Sequence, residues 1–428
     1  MRKVIVLGAG LTGLSAAFHL RRYGVDPVVL EREEVVGGAC RTLEQDGFAF
    51  DLTGHLLHLG REESRRLVTE LGIARRLRSL ARRAGIAVAG TVTPYPIQIN
   101  THRLPPAIRR ECLLGALVAR EQPEAPQSGP FADWALSRFG EGLCRLFFFP
   151  YNQKLFCAEA RDFTAAWVGR FVPRPRLEDL VDGALGLFRQ PVGYNATFLY
   201  PRQGGIRLLA DTLAQHVPGL RLGSTVRRLH LRERALELAS GETLGWETLI
   251  ATVPLSHLCR MTDDLPPGPR AAATRLRAVA VVNLNLGVEG PPPRREHWLY
   301  VPEARFPFYR IGFPSNHGKV APPGCHTLSV EVSVPAGTPA PPDVWGRCLD
   351  GLEELGLLRR ERIATRLEAR VDPGYVVFDA ALESAVSTLR EAFAAAGVRL
   401  AGRWASWKYS AMEDALLDGA KVAEEVAP

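Results

Sequence analysis

The sequence predicts an α/β fold: a Rossmann-like domain pieced together from separated stretches of chain, with a mainly helical insertion and an antiparallel β-sheet domain. Three observations lead there. An apolar, β-branched run at the N-terminus passes directly into a Gly-x-Gly-x-x-Gly turn and a helical pattern. Residues from about 60 to 190 show helical periodicity, and residues from about 265 to 385 show alternating β-branched runs. Pieces of the first pattern return after each insertion.

Taken in order, residues 3–7 (KVIVL) suit a strand buried on both faces. In the turn that follows, Gly8 allows the tight bend, Gly10 lets a pyrophosphate approach the backbone, and Gly13 lets helix and strand pack closely. The amides at the helix start, around Leu11 and Thr12, are placed to meet phosphate charge. That helix is expected over 14–22. A second strand over 27–30 ends in Glu31, whose carboxylate suits ribose hydroxyls. A second glycine turn contributes Gly38 and Arg41, and the stretch 47–55 that follows ends at Gly54-His55. Later pieces are a helix over 208–216, a strand over 223–226 whose Val226 backbone suits an adenine, and a buried strand over 249–254. A last strand ends at Gly402-Arg403, and Met412-Glu413 opens a final helix.

The domains then divide as 1–90, 190–262 and 386–428 for the dinucleotide, 91–189 for the helical insertion and 263–385 for the antiparallel sheet. Within the insertions, helices are expected over 63–71 and 130–139 and strands over 279–288 and 327–334. Internal repeats are absent.

A chain of 428 residues with 46% hydrophobic and 23% charged content can bury a large core. Its net charge is +7, but the basic residues are scattered arginines rather than runs, so nucleic acid is not inferred. Seven dispersed cysteines without a CxxC spacing argue for reduced thiols, a cytoplasmic location and no metal site. The basic, apolar N-terminus is broken by Gly8, Gly10 and Gly13 and is not expected to act as a signal peptide. No apolar stretch reaches the length of about 18 residues that a membrane span needs.

The turn Val36-Gly37-Gly38-Ala39-Cys40-Arg41-Thr42 and the stretch Gly47 to His55 resemble the FAD-binding signature of the amine oxidase and protoporphyrinogen oxidase superfamily. This implies FAD as the dinucleotide. Within that superfamily the chain resembles the UDP-galactopyranose mutases, in particular their eukaryotic-type branch. The likeness rests on Thr93-Pro94-Tyr95-Pro96-Ile97-Gln98, Pro150-Tyr151-Asn152-Gln153-Lys154, Trp167-Val168-Gly169-Arg170, Pro307-Phe308-Tyr309-Arg310 and the stretch Gly402 to Tyr409. It implies that Arg170 and Arg310 clamp a nucleoside diphosphate, that Tyr95, Gln98 and Asn152 serve the nucleotide side, and that Phe156 stands near sugar and phosphate. Tyr300, His317, Tyr375 and Tyr409 would serve the sugar side, with His55 beside the isoalloxazine. The chemistry is coherent, because two guanidinium groups give charge-assisted bonds to a diphosphate and phenols add donors while covering a sugar.

The resemblance implies interconversion of pyranose and furanose forms with no net redox change. Reduced flavin N5 would attack the anomeric carbon as the diphosphate departs, with NADPH or NADH as the source of reducing equivalents. Three departures touch the sugar side: Phe156 replaces a tryptophan, His317 replaces a tyrosine, and Ser410 to Asp414 differs from the family's asparagine and aspartate pattern. They leave the sugar open. They also keep alternatives in view: a flavin oxidase or desaturase, or a mutase-like enzyme in which elimination or another rearrangement follows the first step. The oligomeric state is not legible.

Overall fold

The computed structural model describes residues 3–169, 172, 174–187 and 196–427. A five-stranded parallel sheet runs in the order Val398–Leu400, Thr248–Ala251, Val4–Leu7, Val28–Leu30, Leu220–Arg221. All four residues of Val4–Leu7 are buried, as a strand covered on both faces must be. The helix Leu11–Arg22 leaves the first glycine turn at once, three residues earlier than the sequence pattern indicates. The terminal helix Met412–Val426 packs across it, with Ser15 Oγ donating to the Leu416 carbonyl at 2.6 Å. Gly419 makes this crossing possible, since a Cβ there would lie 2.7 Å from the Ser15 side chain. The strand expected over 223–226 begins only at Val226. It runs to His230 and belongs to a separate three-stranded antiparallel sheet.

The larger sheet has seven strands in the order Ile363–Val376, Ala278–Glu289, Cys325–Pro335, Arg310–Gly312, Trp298–Tyr300, Ala84–Val88, Thr91–Pro94. Neighbours are antiparallel except Trp298–Tyr300 and Ala84–Val88, which pair parallel. Residues 84–88 therefore belong to this sheet, although the sequence assigned everything up to 90 to the dinucleotide domain. Two-residue periodicity explains the sheet's two faces. Val282, Leu284 and Leu286 of one central strand and Leu328, Val330 and Val332 of the next form an apolar cluster with Leu349 and Leu352 of the helix Val344–Glu354. The alternate positions Asn283, Asn285, Ser329 and Glu331 are polar, yet all are buried. A buried polar face needs partners, and the segment 42–55 supplies some of them. Asn283 Nδ2 donates to the Leu52 carbonyl at 2.9 Å.

The helical insertion contains Pro106–Arg120, Phe131–Leu143, Phe149–Phe156 and Leu177–Leu185. Its core is aromatic, built on Phe131, Trp134, Phe139, Phe148 and Phe163. Among the described residues no helix is long and apolar enough to cross a membrane.

Candidate functional site

The two glycine turns meet where the central strand Val4–Leu7 of the parallel sheet ends. Gly8 has φ +102°, and a Cβ there would sit 2.8 Å from Thr252 Oγ1, so the bend needs glycine. Gly37 N–H donates to the Ala9 carbonyl at 2.9 Å, which brings Gly38 against Gly10. The helix that starts at Leu11 has Gly10 as its N-cap and no side chain across its first amides, leaving them open to a phosphate. Glu31 is buried and fixed by two backbone donors, Ala9 N–H at 2.8 Å and Glu33 N–H at 3.0 Å. Arg41 folds back, with Nε donating to the Gly38 carbonyl at 2.9 Å.

Arg403 donates to the carbonyls of Ser410 at 3.2 Å and Gly374 at 3.0 Å, while its buried Nε has no partner. Its guanidinium lies over the rings of Tyr375, Trp404 and Tyr409 at 5.1, 4.8 and 5.2 Å. Glu413, expected at the cofactor, uses its carboxylate elsewhere. It accepts Arg61 N–H at 2.8 Å and Ser64 Oγ–H at 2.5 Å, which ties the start of Met412–Val426 to the start of Glu62–Glu70. Open helix amides, a glycine cradle, a ribose-type carboxylate and an unpartnered guanidinium nitrogen together fit a dinucleotide such as FAD.

The substrate side is built on a cross-strand row. Tyr300 is paired with Arg310, and Arg310 with Glu331, so the three stand side by side on one face of the seven-stranded sheet. Arg310 grips Glu331 through both oxygens, Nη2 to Oε1 at 2.6 Å and Nε to Oε2 at 3.0 Å. Glu331 also accepts the Tyr309 hydroxyl at 2.6 Å and Gly54 N–H at 2.9 Å. Burial alone would neutralise this carboxyl. The Arg310 charge and the surrounding donors outweigh burial and hold it below its ordinary range.

Aromatic rings surround the row. Tyr95 and Tyr151 lie 5.0 and 5.3 Å from Tyr300, Tyr375 stacks with Tyr409 at 6.3 Å, and Trp167 lies 5.8 Å from Tyr409. Burial pushes the phenols of Tyr95, Tyr300 and Tyr409 above their ordinary value, so they remain hydrogen-bond donors. His55 Nδ1 lies 3.1 Å from the Thr53 carbonyl, and burial lowers its pKa to about 4, leaving a neutral ring. Gln98 is buried, and Asn152 donates Nδ2 to the Phe148 carbonyl at 2.8 Å while its Oδ1 has no partner.

The structure thus gathers Tyr95, Tyr300, Arg310, Tyr375 and Tyr409, and sets Gly54 against Glu331. It does not bring Phe156 or His317 to them. Phe156 is 1% exposed and packs on Phe163 and Trp167 at 5.0 and 5.3 Å, inside the helical core. His317 belongs to a second cluster, 4.5 Å from Tyr200 and 5.7 Å from His297, where burial lowers its pKa to about 3. Arg170, expected opposite Arg310, lies outside the described residues. Sequence reasoning missed Glu331, whose only signal is an acid within an otherwise uncharged strand. It also missed Arg82, which stacks over Tyr95 at 4.9 Å. Among the described residues no group of three or more His, Cys, Asp or Glu could hold a metal.

A family model described as flavin containing amine oxidoreductase matches residues 11–427. Among solved structures, reduced UDP-galactopyranose mutase is 26% identical with a TM-score of 0.93, covering 100% of this chain and 95% of that one. Cyclohexylamine oxidase from Brevibacterium oxydans shares the fold at 17% identity and a TM-score of 0.67, covering 100% and 98%. Among curated proteins, pyridine nucleotide-disulfide oxidoreductase domain-containing protein 2 of Mus musculus is 35% identical over 143 residues, 33% of this chain and 23% of that protein. The zeta-carotene-forming phytoene desaturase of Myxococcus xanthus is 45% identical over 51 residues, 12% of this chain and 10% of the desaturase. The chain therefore spans less than a quarter of the length of these curated relatives.

Proposed function

Because this chain belongs to the flavin-containing amine oxidoreductase family, we propose that it binds FAD and acts as a nucleotide-sugar mutase. Its substrate would be UDP-galactose-like, interconverted between pyranose and furanose forms without net redox. The observation that carries this reading is the row Tyr300, Arg310 and Glu331 beside Gly54-His55. The full-length likeness to reduced UDP-galactopyranose mutase supports it.

Reduced FAD, when bound, supplies the nucleophile for the anomeric carbon, with NADPH or NADH as the source of electrons. The protein's own groups then have distinct tasks. Arg310 keeps Nη1 outside its fork with Glu331, and that nitrogen holds the departing diphosphate and keeps it for the return step. Arg170 is proposed as the second cation on that diphosphate. The hydroxyls of Tyr300, Tyr375 and Tyr409 donate to sugar and phosphate oxygens, and their rings exclude water from them. Neutral His55 orients the cofactor. Tyr95, Gln98 and Asn152 take the nucleoside, and the free Asn152 Oδ1 offers an acceptor to a base N–H.

The family and the short desaturase match favour a second reading, an oxidase or desaturase that passes hydride to oxidised FAD. An amine substrate, however, would meet the guanidinium groups of Arg310 and Arg403 as like charges. FAD-loaded protein given UDP-galactose and dithionite should form the furanose, and Arg310→Ala should lower that rate by about 100-fold. Turnover confined to oxidised flavin and oxygen would overturn the mutase.

A further inference from the structure

We infer that Glu331 is a positioning residue that tempers the charge Arg310 presents to the diphosphate and couples Arg310 to the cofactor-side loop at Gly54-His55. The inference rests on the nucleotide-sugar reading above. A bidentate ion pair at the point of anion binding is otherwise a puzzle. The Glu331 side chain is 2% exposed and that of Arg310 is 19% exposed, so the carboxylate is sealed from water and the guanidinium is only partly open to it. Burying such a pair gains little stability compared with packed apolar residues, and its presence asks for another reason.

The reaction supplies one. A diphosphate must be held while the sugar is detached and then given back, so binding that is equally strong at every stage would slow the cycle. An uncompensated arginine in a dry aromatic site would bind a diphosphate too firmly for this. Glu331 shares the guanidinium's charge, and it has somewhere else to turn. Its Oε1 is divided between Arg310 Nη2 and Gly54 N–H, and its Oε2 between Arg310 Nε and the Tyr309 hydroxyl. An anion on Arg310 competes with Glu331 for the guanidinium, and Glu331 then leans harder on Gly54 and Tyr309. Occupancy of the phosphate site is thereby felt beside His55. By reciprocity, changes at that loop alter anion affinity by the same factor.

The carboxylate and one of its donors give variants of opposite sign. In FAD-loaded Glu331→Gln the fork loses its charge, and UDP should bind about tenfold tighter with a steeper dependence on NaCl. In Tyr309→Phe the carboxylate loses one donor, turns more fully to Arg310, and UDP binding should weaken several-fold. The perturbation of the flavin absorbance spectrum by UDP should shrink in Glu331→Gln. Isothermal titration calorimetry over a salt series, with melting temperatures taken in parallel, reads these effects. A purely structural pair predicts weaker UDP binding in both variants, tracking the loss of melting temperature, and that pattern overturns the inference. If Glu331→Gln does not fold, Tyr309→Phe decides alone: weaker UDP binding at an unchanged melting temperature supports the inference, and unchanged or tighter binding, or weakening that tracks a lower melting temperature, overturns it. UDP binding that is lost in Arg310→Ala but unaltered in Glu331→Gln refutes the role of Glu331 and leaves the function standing. Wild-type protein that ignores UDP refutes both.

Discussion

Gly402 shows how one methyl group at the cofactor groove would be felt. It has φ +81°, and a Cβ would press on Thr12, 2.8 Å from its Cβ, in the first turn of the helix whose uncapped amides are proposed to meet the dinucleotide. Gly402→Ala should cost about 1–3 kcal/mol through strain and overpacking. A lower melting temperature and a lower ratio of flavin to protein absorbance would show it. His297 and His317 make a different prediction, about acid. Burial, helped by Arg83 and Arg78, lowers His297 to about 4, and burial with His297 and Arg78 lowers His317 to about 3. Unfolded chain takes up these protons near pH 6.5. Both rings therefore stabilise the fold fully above 6.5, and that contribution is lost as pH falls toward 4 and 3. Asp51, raised by burial and bonded to the Tyr200 hydroxyl at 2.7 Å, acts in the opposite sense and is common to both proteins compared. Circular dichroism from pH 7 to 3.5 should place the acid midpoint of His317→Phe below that of the wild type, and an equal midpoint counts against the buried neutral ring.

The helix Phe149–Phe156 is fastened to the seven-stranded sheet by a half-buried amine. Lys154 Nζ donates to the carbonyls of Val301 at 2.7 Å and Glu303 at 3.1 Å, and burial lowers its pKa to about 7 although Glu303 pulls the other way. Between 7 and the ordinary lysine value, unfolded chain holds a proton that the fold sheds, so the contribution of Lys154 to stability rises with pH there. Urea titrations at pH 7 and 8, below the range where unfolded thiols ionise, should show stability changing more favourably with pH in the wild type than in Lys154→Met, and equal changes count against the lowered amine. The segment carrying Lys154 was readable as a motif, but its fastening was not. Much of the architecture follows from short-range pattern: Val4–Leu7, Ala278–Glu289, Cys325–Pro335 and Met412–Val426 lie within a residue or two of where periodicity puts them. What escapes is long-range. Ala84–Val88 joins the large sheet by pairing with Trp298–Tyr300, and nothing within residues 84–88 names that partner. The alternation around Glu331 reads as an apolar face and a wet one. The polar face is dry in part because residues 42–55 lie over it. Motif spacing placed Phe156 and His317 near the right strands and helices without showing which way their rings turn.

That cover is what makes the two sheets one molecule, and it puts the candidate site on the seam between them. The hairpin Thr42–Gln45 and Phe48–Asp51 grows from the dinucleotide domain and lies on the seven-stranded sheet. Gln45 Nε2 donates to Thr365 Oγ1 at 2.6 Å, Asn283 reaches Leu52, and Gly54 reaches Glu331. Contact is closest at Gly287, where a Cβ would stand 2.7 Å from both Phe48 Cζ and Thr365 Cγ2. Phe48 and Thr365 are themselves buried, so neither can swing into water without exposing core. Gly287→Val should therefore lift the hairpin and loosen Gly54 and Glu331 together, at a cost of about 1–3 kcal/mol. Because the same hairpin follows the second glycine turn, FAD retention and UDP affinity should fall in parallel, although Gly287 itself touches neither proposed ligand. Phe48→Leu in the Gly287→Val background should recover part of both, since the smaller side chain returns the space. A variant that melts earlier yet keeps FAD content and UDP affinity at wild-type values would show that the seam holds the fold together without holding the site.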